Sequence, residues 1–229
     1  PVGNRSCITG QVSGIVESMD SFVLTIFQIV VLIFSAIVHE VSHGFVAHSL
    51  GDPTAKDMGR LTLNPLKHLE WFGSVLLPAL LILTKSPILF GWAKPVPYNP
   101  HNLKDPRWGS AYIAIAGPLS NFAIAIIFGL FLRLIPFGDN PAFALLPQLF
   151  SVIVFINIML GVFNLVPIPP LDGSKILFSV LPHHWHNFEM LLERQGFILI
   201  LIFVFFGFNL ILPIIFFLFN LIAGRPFGF

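Results

Sequence analysis

Four stretches of the chain, residues 22–49, 109–135, 146–166 and 196–223, stay apolar over the roughly 20 residues that an α-helix needs to cross the hydrocarbon core of a bilayer. That length leaves few folds open. Inside lipid every backbone N–H and C=O must be satisfied by the chain itself, and helices do so segment by segment. The expected class is an all-α integral membrane protein, a polytopic helix bundle. Composition agrees, since 55% of the 229 residues are hydrophobic and 10% charged, more apolar surface than a soluble fold of this length buries.

A fifth apolar stretch, 71–90, contains Pro78 and Pro87, and its uninterrupted part is too short to span. It reads as a re-entrant or interfacial segment. Beside it, Gly, Pro and Asn punctuate two alternating runs, Gly59 to Leu63 and Trp92 to Tyr98, which read as short membrane-surface strands or else as extended loops. Gly207, Asn209 and Pro213 leave open whether 196–223 is one helix or a tight pair. With no internal repeat and no long linker, residues 22–224 read as a single intramembrane domain between an N-terminal tail, 1–21, and a C-terminal tail, 225–229. The lone Cys7 excludes an intramolecular disulfide. A net charge of +1, with basic residues scattered among loops, argues against a nucleic-acid partner. The lipid bilayer is the partner that composition implies.

The first apolar stretch ends in "IVHEVSHGFVAH", residues 37–48. On a helix His39 and His43, four apart, share one face and can hold one ion, while Glu40 reaches a water beside it. This is the HExxH arrangement of zinc hydrolases. The competing reading makes both histidines hydrogen-bonded interior residues and pairs Glu40 with a distant base. It is disfavoured because an intramembrane carboxylate costs several kcal/mol unless something nearby compensates. His48 turns to the opposite side of the helix and reads as interfacial.

A catalytic zinc needs a third protein ligand and an open position for water. Asp172, in "FNLVPIPPLDGSKIL" directly after an apolar helix, is the best candidate. His183, His184 and His186 in "LPHHWHNF" compete, although Trp185 and Phe188 give that segment an interfacial character. Topology favours Asp172. If 71–90 does not cross, the crossing by 109–135 and the return by 146–166 bring Asp172 to the side and depth of the histidines. The same topology puts nine of the twelve basic residues on one side, leaving Arg5, Arg133 and Arg225 opposite. By the positive-inside rule the metal site then faces the cytoplasm.

With these residues in place, the chain resembles the site-2 protease family of intramembrane zinc metallopeptidases. "HEVSH" at 39–43 is similar to the family's HExxH, "NLVPIPPLDG" at 164–173 to its second signature, and "AGPLSN" at 116–121 to the small-residue motif of its middle core helix. The resemblance spans about residues 22–181 and looks like a minimal member, without a PDZ or nucleotide-sensing domain. It implies a Zn2+ held by His39, His43 and Asp172, with Glu40 as catalytic base and acid, and a transmembrane protein as substrate. Asn164 is the candidate for holding the developing oxyanion or the substrate backbone; the alternative is a helix-end amide that satisfies local carbonyls. The expected location is the plasma membrane of a prokaryote, with homo-oligomerisation left open.

Two other classes compete. Intramembrane His, Glu and Asp also line ion pathways, so a metal transporter is one alternative, but its polar residues should form stacked layers rather than a single level. A non-catalytic binder of transmembrane segments is the other, and it has no use for the general base at Glu40.

Overall fold

The computed structural model describes residues 5–68, 70, 76, 80, 83, 84, 94–135, 145–224 and 226. Helix α1 runs Arg5–Ser49, followed by the short α2, Thr54–Asp57, and α3, Pro65–His68. Helix α4 is Pro106–Leu134, α5 Leu146–Asn164, α6 Asp172–Val180, α7 His186–Ile202 and α8 Phe208–Ala223. Among the described residues, four helical spans are long and apolar enough to cross a membrane: Phe22–Ser49, Pro106–Leu134, Leu146–Asn164 and His186–Ala223. The protein is therefore an all-α, multi-pass membrane protein. The last span is continuous: the five residues Phe203–Gly207 form a π-helical turn that joins α7 to α8, and α8 carries Pro213 in its interior. The expected re-entrant segment, 71–90, lies almost wholly outside the described residues.

Helix α4 is the centre of the bundle, packed against α1, α5, α6 and α8. Its start is defined locally: Pro106 needs no N–H donor at the first turn, and Asp105 Oδ1 accepts from the backbone N–H groups of Arg107 and Trp108, at 3.0 and 3.1 Å. Below the site, Ala125 and Leu132 of α4, Val154, Ile158 and Val162 of α5, and Ile211, Ile215, Phe219 and Ala223 of α8 form the main apolar seam. Val31 of α1 meets Val152 and Ile156 of α5 in a second. Outward faces stay apolar, as Phe205, Phe206, Leu210 and Phe217 show, which is what a lipid solvent selects.

The two expected strands are absent among the described residues, a correction with a local cause at each place. At Gly59 the backbone turns left-handed, with φ at 63°, and closes the end of α2, where Arg60 N–H donates to Ala55 O at 2.9 Å. Residues 94–98 have no strand partner. Pro95 and Pro97 offer no N–H, Lys94 N–H donates to His68 O at 2.8 Å, and Val96 N–H donates to the Glu40 carboxylate at 2.9 Å. The alternation in this segment thus serves side-chain and loop acceptors rather than a ladder.

Candidate metal centre

One turn of α1 carries His39 and His43, whose rings stand nearly perpendicular with centroids 4.6 Å apart. Asp172, the first residue of α6, meets both. Its Oδ2 lies 3.0 Å from His39 Nε2 and 3.2 Å from His43 Nε2. All three side chains are buried, and one ligand atom from each falls within 4.8 Å of the others. Among the described residues no other such cluster of three His, Cys, Asp or Glu occurs.

Glycines make the approach possible. At Gly173, directly after Asp172, a Cβ would lie 2.2 Å from Leu165 O, so α6 can start hard against the end of α5 only without a side chain there. A Cβ at Gly117 of α4 would lie 2.5 Å from His39 Nε2 and 2.6 Å from His43 Cε1.

The far sides of the two rings decide what the near sides offer. His43 Nδ1 is 2.6 Å from the carbonyl oxygen of Ile113, which can only accept, so Nδ1 carries the proton. His39 Nδ1 is 2.7 Å from Asn121 Oδ1 and donates to it. In the neutral tautomers both Nε2 atoms are then bare and face a carboxylate oxygen. Three lone pairs at such distances repel unless positive charge sits among them, and a single divalent ion satisfies all three at once. Two imidazole nitrogens and one carboxylate, with the rings oriented by outer hydrogen bonds, form a donor set that suits zinc.

Glu40 is half-buried, and its Oε2 accepts from Val96 N–H at 2.9 Å. Asn164 ends α5 and donates from Nδ2 to Leu160 O at 3.0 Å, the local bond of a helix-end amide. His48 is exposed. His184 and His186 are exposed on the surface, where His186 Nδ1 lies 3.2 Å from Glu189 and Trp185 stacks edge-on against Phe188 with centroids 5.4 Å apart. The His183 side chain lies outside the described residues.

Sequence reasoning passed over Asn121, although it closes the "AGPLSN" stretch. It is fully buried, as is Asn157 of α5, and the two amides are linked at 3.0 Å. A buried amide in an apolar helix was the one available signal.

Comparison with known proteins bears on these residues. The description "Peptidase family M50" matches residues 135–203, which include Asp172. YwhC of Bacillus subtilis is 40% identical over 181 residues, 77% of this chain and 78% of its own. Rip2 of Mycolicibacterium smegmatis is 29% identical over 170 residues, 74% of this chain and 63% of its own. MJ0611 of Methanocaldococcus jannaschii is 32% identical over 187 residues, 77% of this chain and 84% of its own. Each of the three is named, provisionally, as a zinc metalloprotease. No solved structure matches the chain significantly.

Proposed function

Because this chain belongs to peptidase family M50, with relatives named as zinc metalloproteases, we propose that it hydrolyses peptide bonds in or near the transmembrane helices of other membrane proteins. The observation that carries this reading is the convergence of two imidazole nitrogens and one carboxylate, beside a glutamate, between membrane-spanning helices. His39, His43 and Asp172 are the proposed zinc ligands. A zinc ion bound there supplies a Lewis acid that polarises a carbonyl and acidifies water.

Glu40 is the proposed general base and acid. Val96 N–H fixes one of its oxygens, and the other has no hydrogen bond among the described residues, free to take a proton from water and pass it to the leaving amine. For Asn164 we assign the substrate-backbone or oxyanion donor: its amide has two hydrogens, and the bond to Leu160 O uses one. A helical substrate hides its peptide bonds in internal hydrogen bonds, so it must unwind locally before its carbonyl is reached. The excess of basic residues on the side of the loops that flank α2, α3 and α6 supports a cytoplasm-facing site in a prokaryotic plasma membrane.

The test pairs the purified protein with its Glu40→Gln variant, both incubated with a transmembrane-helix substrate, and measures zinc content alongside cleavage. Zinc should be equal in the two, and cleavage by the variant lower by a factor of about 100 or more. Equal cleavage by both proteins refutes the mechanism. Asn164→Ala should keep zinc and lower kcat by roughly 100-fold; an unchanged kcat restricts Asn164 to its helix-end bond.

A further inference from the structure

We propose that Asn157, which touches neither His39 nor any reacting group, is a positioning residue that acts through Asn121 to fix the tautomer of His39. The proposal rests on the reading of His39 as a zinc ligand and extends it into the bundle.

An amide side chain looks alike from both ends. If Asn121 presented its NH2 to His39, Nδ1 would be the acceptor, the ring proton would sit on Nε2, and that proton would point at Asp172, where a cation belongs. Something has to set the direction. Asn157 Nδ2 lies 2.9 Å from Ile153 O, a main-chain carbonyl that can only accept, so the amide end of Asn157 faces its own helix. Its oxygen therefore faces Asn121, whose Nδ2 donates to it at 3.0 Å and to Ser35 O at 3.3 Å. That turns Asn121 Oδ1 onto His39 Nδ1, at 2.7 Å, and leaves Nε2 bare, 3.0 Å from Asp172. Donor–acceptor polarity thus starts from two main-chain carbonyls, Ile153 O on α5 acting through Asn157 and Ser35 O on α1 acting directly, and runs through Asn121 to the nitrogen at the candidate metal position, with the Asn157 bond the shorter of the two that Asn121 donates. Ser35 Oγ, one turn before His39 on α1, accepts the second hydrogen of Asn157 Nδ2 at 2.9 Å and completes its satisfaction. Both amides are fully buried, so no water competes for these bonds and the direction is set by the protein alone.

The experiment measures zinc affinity of the solubilised full-length chain by chelator competition, with the visible spectrum of the cobalt-loaded protein and the melting temperature of the metal-free protein alongside. Loss of an outer hydrogen bond of this kind lowers metal affinity by about 10- to 100-fold. Asn121→Leu should fall in that range and Asn157→Leu near its lower end. The double variant should be no weaker than Asn121→Leu, because the two act in series. Asn157→Asp, which retains an acceptor for Asn121, should restore affinity and the cobalt spectrum. Additive losses, or an Asn157→Leu variant with wild-type zinc affinity, overturn the relay. So does a loss that tracks the metal-free melting temperature and is not recovered in Asn157→Asp. If Asn121→Leu does not fold, the Asn157 pair decides alone. His39→Ala separates the two levels of inference: loss of zinc there with no effect in Asn157→Leu rejects the relay only, whereas retained zinc in His39→Ala rejects the metal reading together with the relay.

Discussion

Gly117 shows how little room the candidate centre has. A methyl group at this position would sit 2.5 Å from one imidazole nitrogen and 2.6 Å from the second ring, so Gly117→Ala forces both histidines to turn. We predict that this variant folds and spans the membrane but loses zinc affinity by about tenfold or more, read by chelator competition with far-UV circular dichroism as the control. The buried Asp52 illustrates a different use of a carboxylate. Burial pushes its pKa up, but hydrogen bonds from Thr54, Asn102 and the Asn99 backbone outweigh this and hold it below the usual aspartate value of about 3.9. A depressed folded-state pKa means the stabilisation is present above the unfolded value and is lost as pH falls through the folded one. Melting temperature should therefore decline as pH drops below about 4, and Asp52→Asn should lower it at neutral pH while flattening that decline. At this scale the pairing of His39 with His43 was legible, because a spacing of four is local. The Asn121 contact was not, since its partner lies 82 positions away and an amide in an apolar helix does not say what it pairs with.

Elements hold the site through their ends. Arg107, in the first turn of α4, donates from its guanidinium to Ser179 O and Leu181 O, capping the last carbonyls of the helix that begins at Asp172. Arg107→Ala leaves those carbonyls without the guanidinium and frees α6 to rock. The expected cost is about 1.5–3 kcal/mol of stability with weaker zinc binding, measured by denaturant titration of metal-free protein and by chelator competition. The extended segment 94–98 has a sharper test. Val96→Pro removes the N–H that donates to Glu40, so cleavage should fall while zinc content stays, and Val96→Ala, which keeps that N–H, should behave as wild type. Long helices were easy to read here because lipid imposes their length, whereas α6, only nine residues long, carries no such signal and went unread. The strands were misread because alternation shows which residues face apart, and says nothing about whether a neighbouring chain exists to pair with them.

For the whole molecule, the order of crossings puts α1, α4 and the start of α6 at one level, and this is what gathers residues 133 positions apart into a cluster. Ligand binding to the folded state alone raises stability, by about 2.7 kcal/mol when the free ligand is at 100 times its Kd. Zinc should therefore raise the melting temperature of the metal-depleted protein, and His43→Ala or Asp172→Ala should abolish the rise. An unchanged rise in both variants places the ion elsewhere. The order of the apolar spans was accessible because hydrophobic length is a property of whole segments. The packing of side chains within the bundle depends on seams such as Ile158 against Ile215, which no linear pattern specifies.

Helix α4 grips α1 at two heights, through the carbonyl of Ile113 on one imidazole and the amide of Asn121 on the other. Two rivets stop a piston. Sliding by a single residue, about 1.5 Å along the axis, would break both bonds together and scatter the cluster they support. The bonds that orient the two rings therefore also fix how α1 and α4 line up along their lengths.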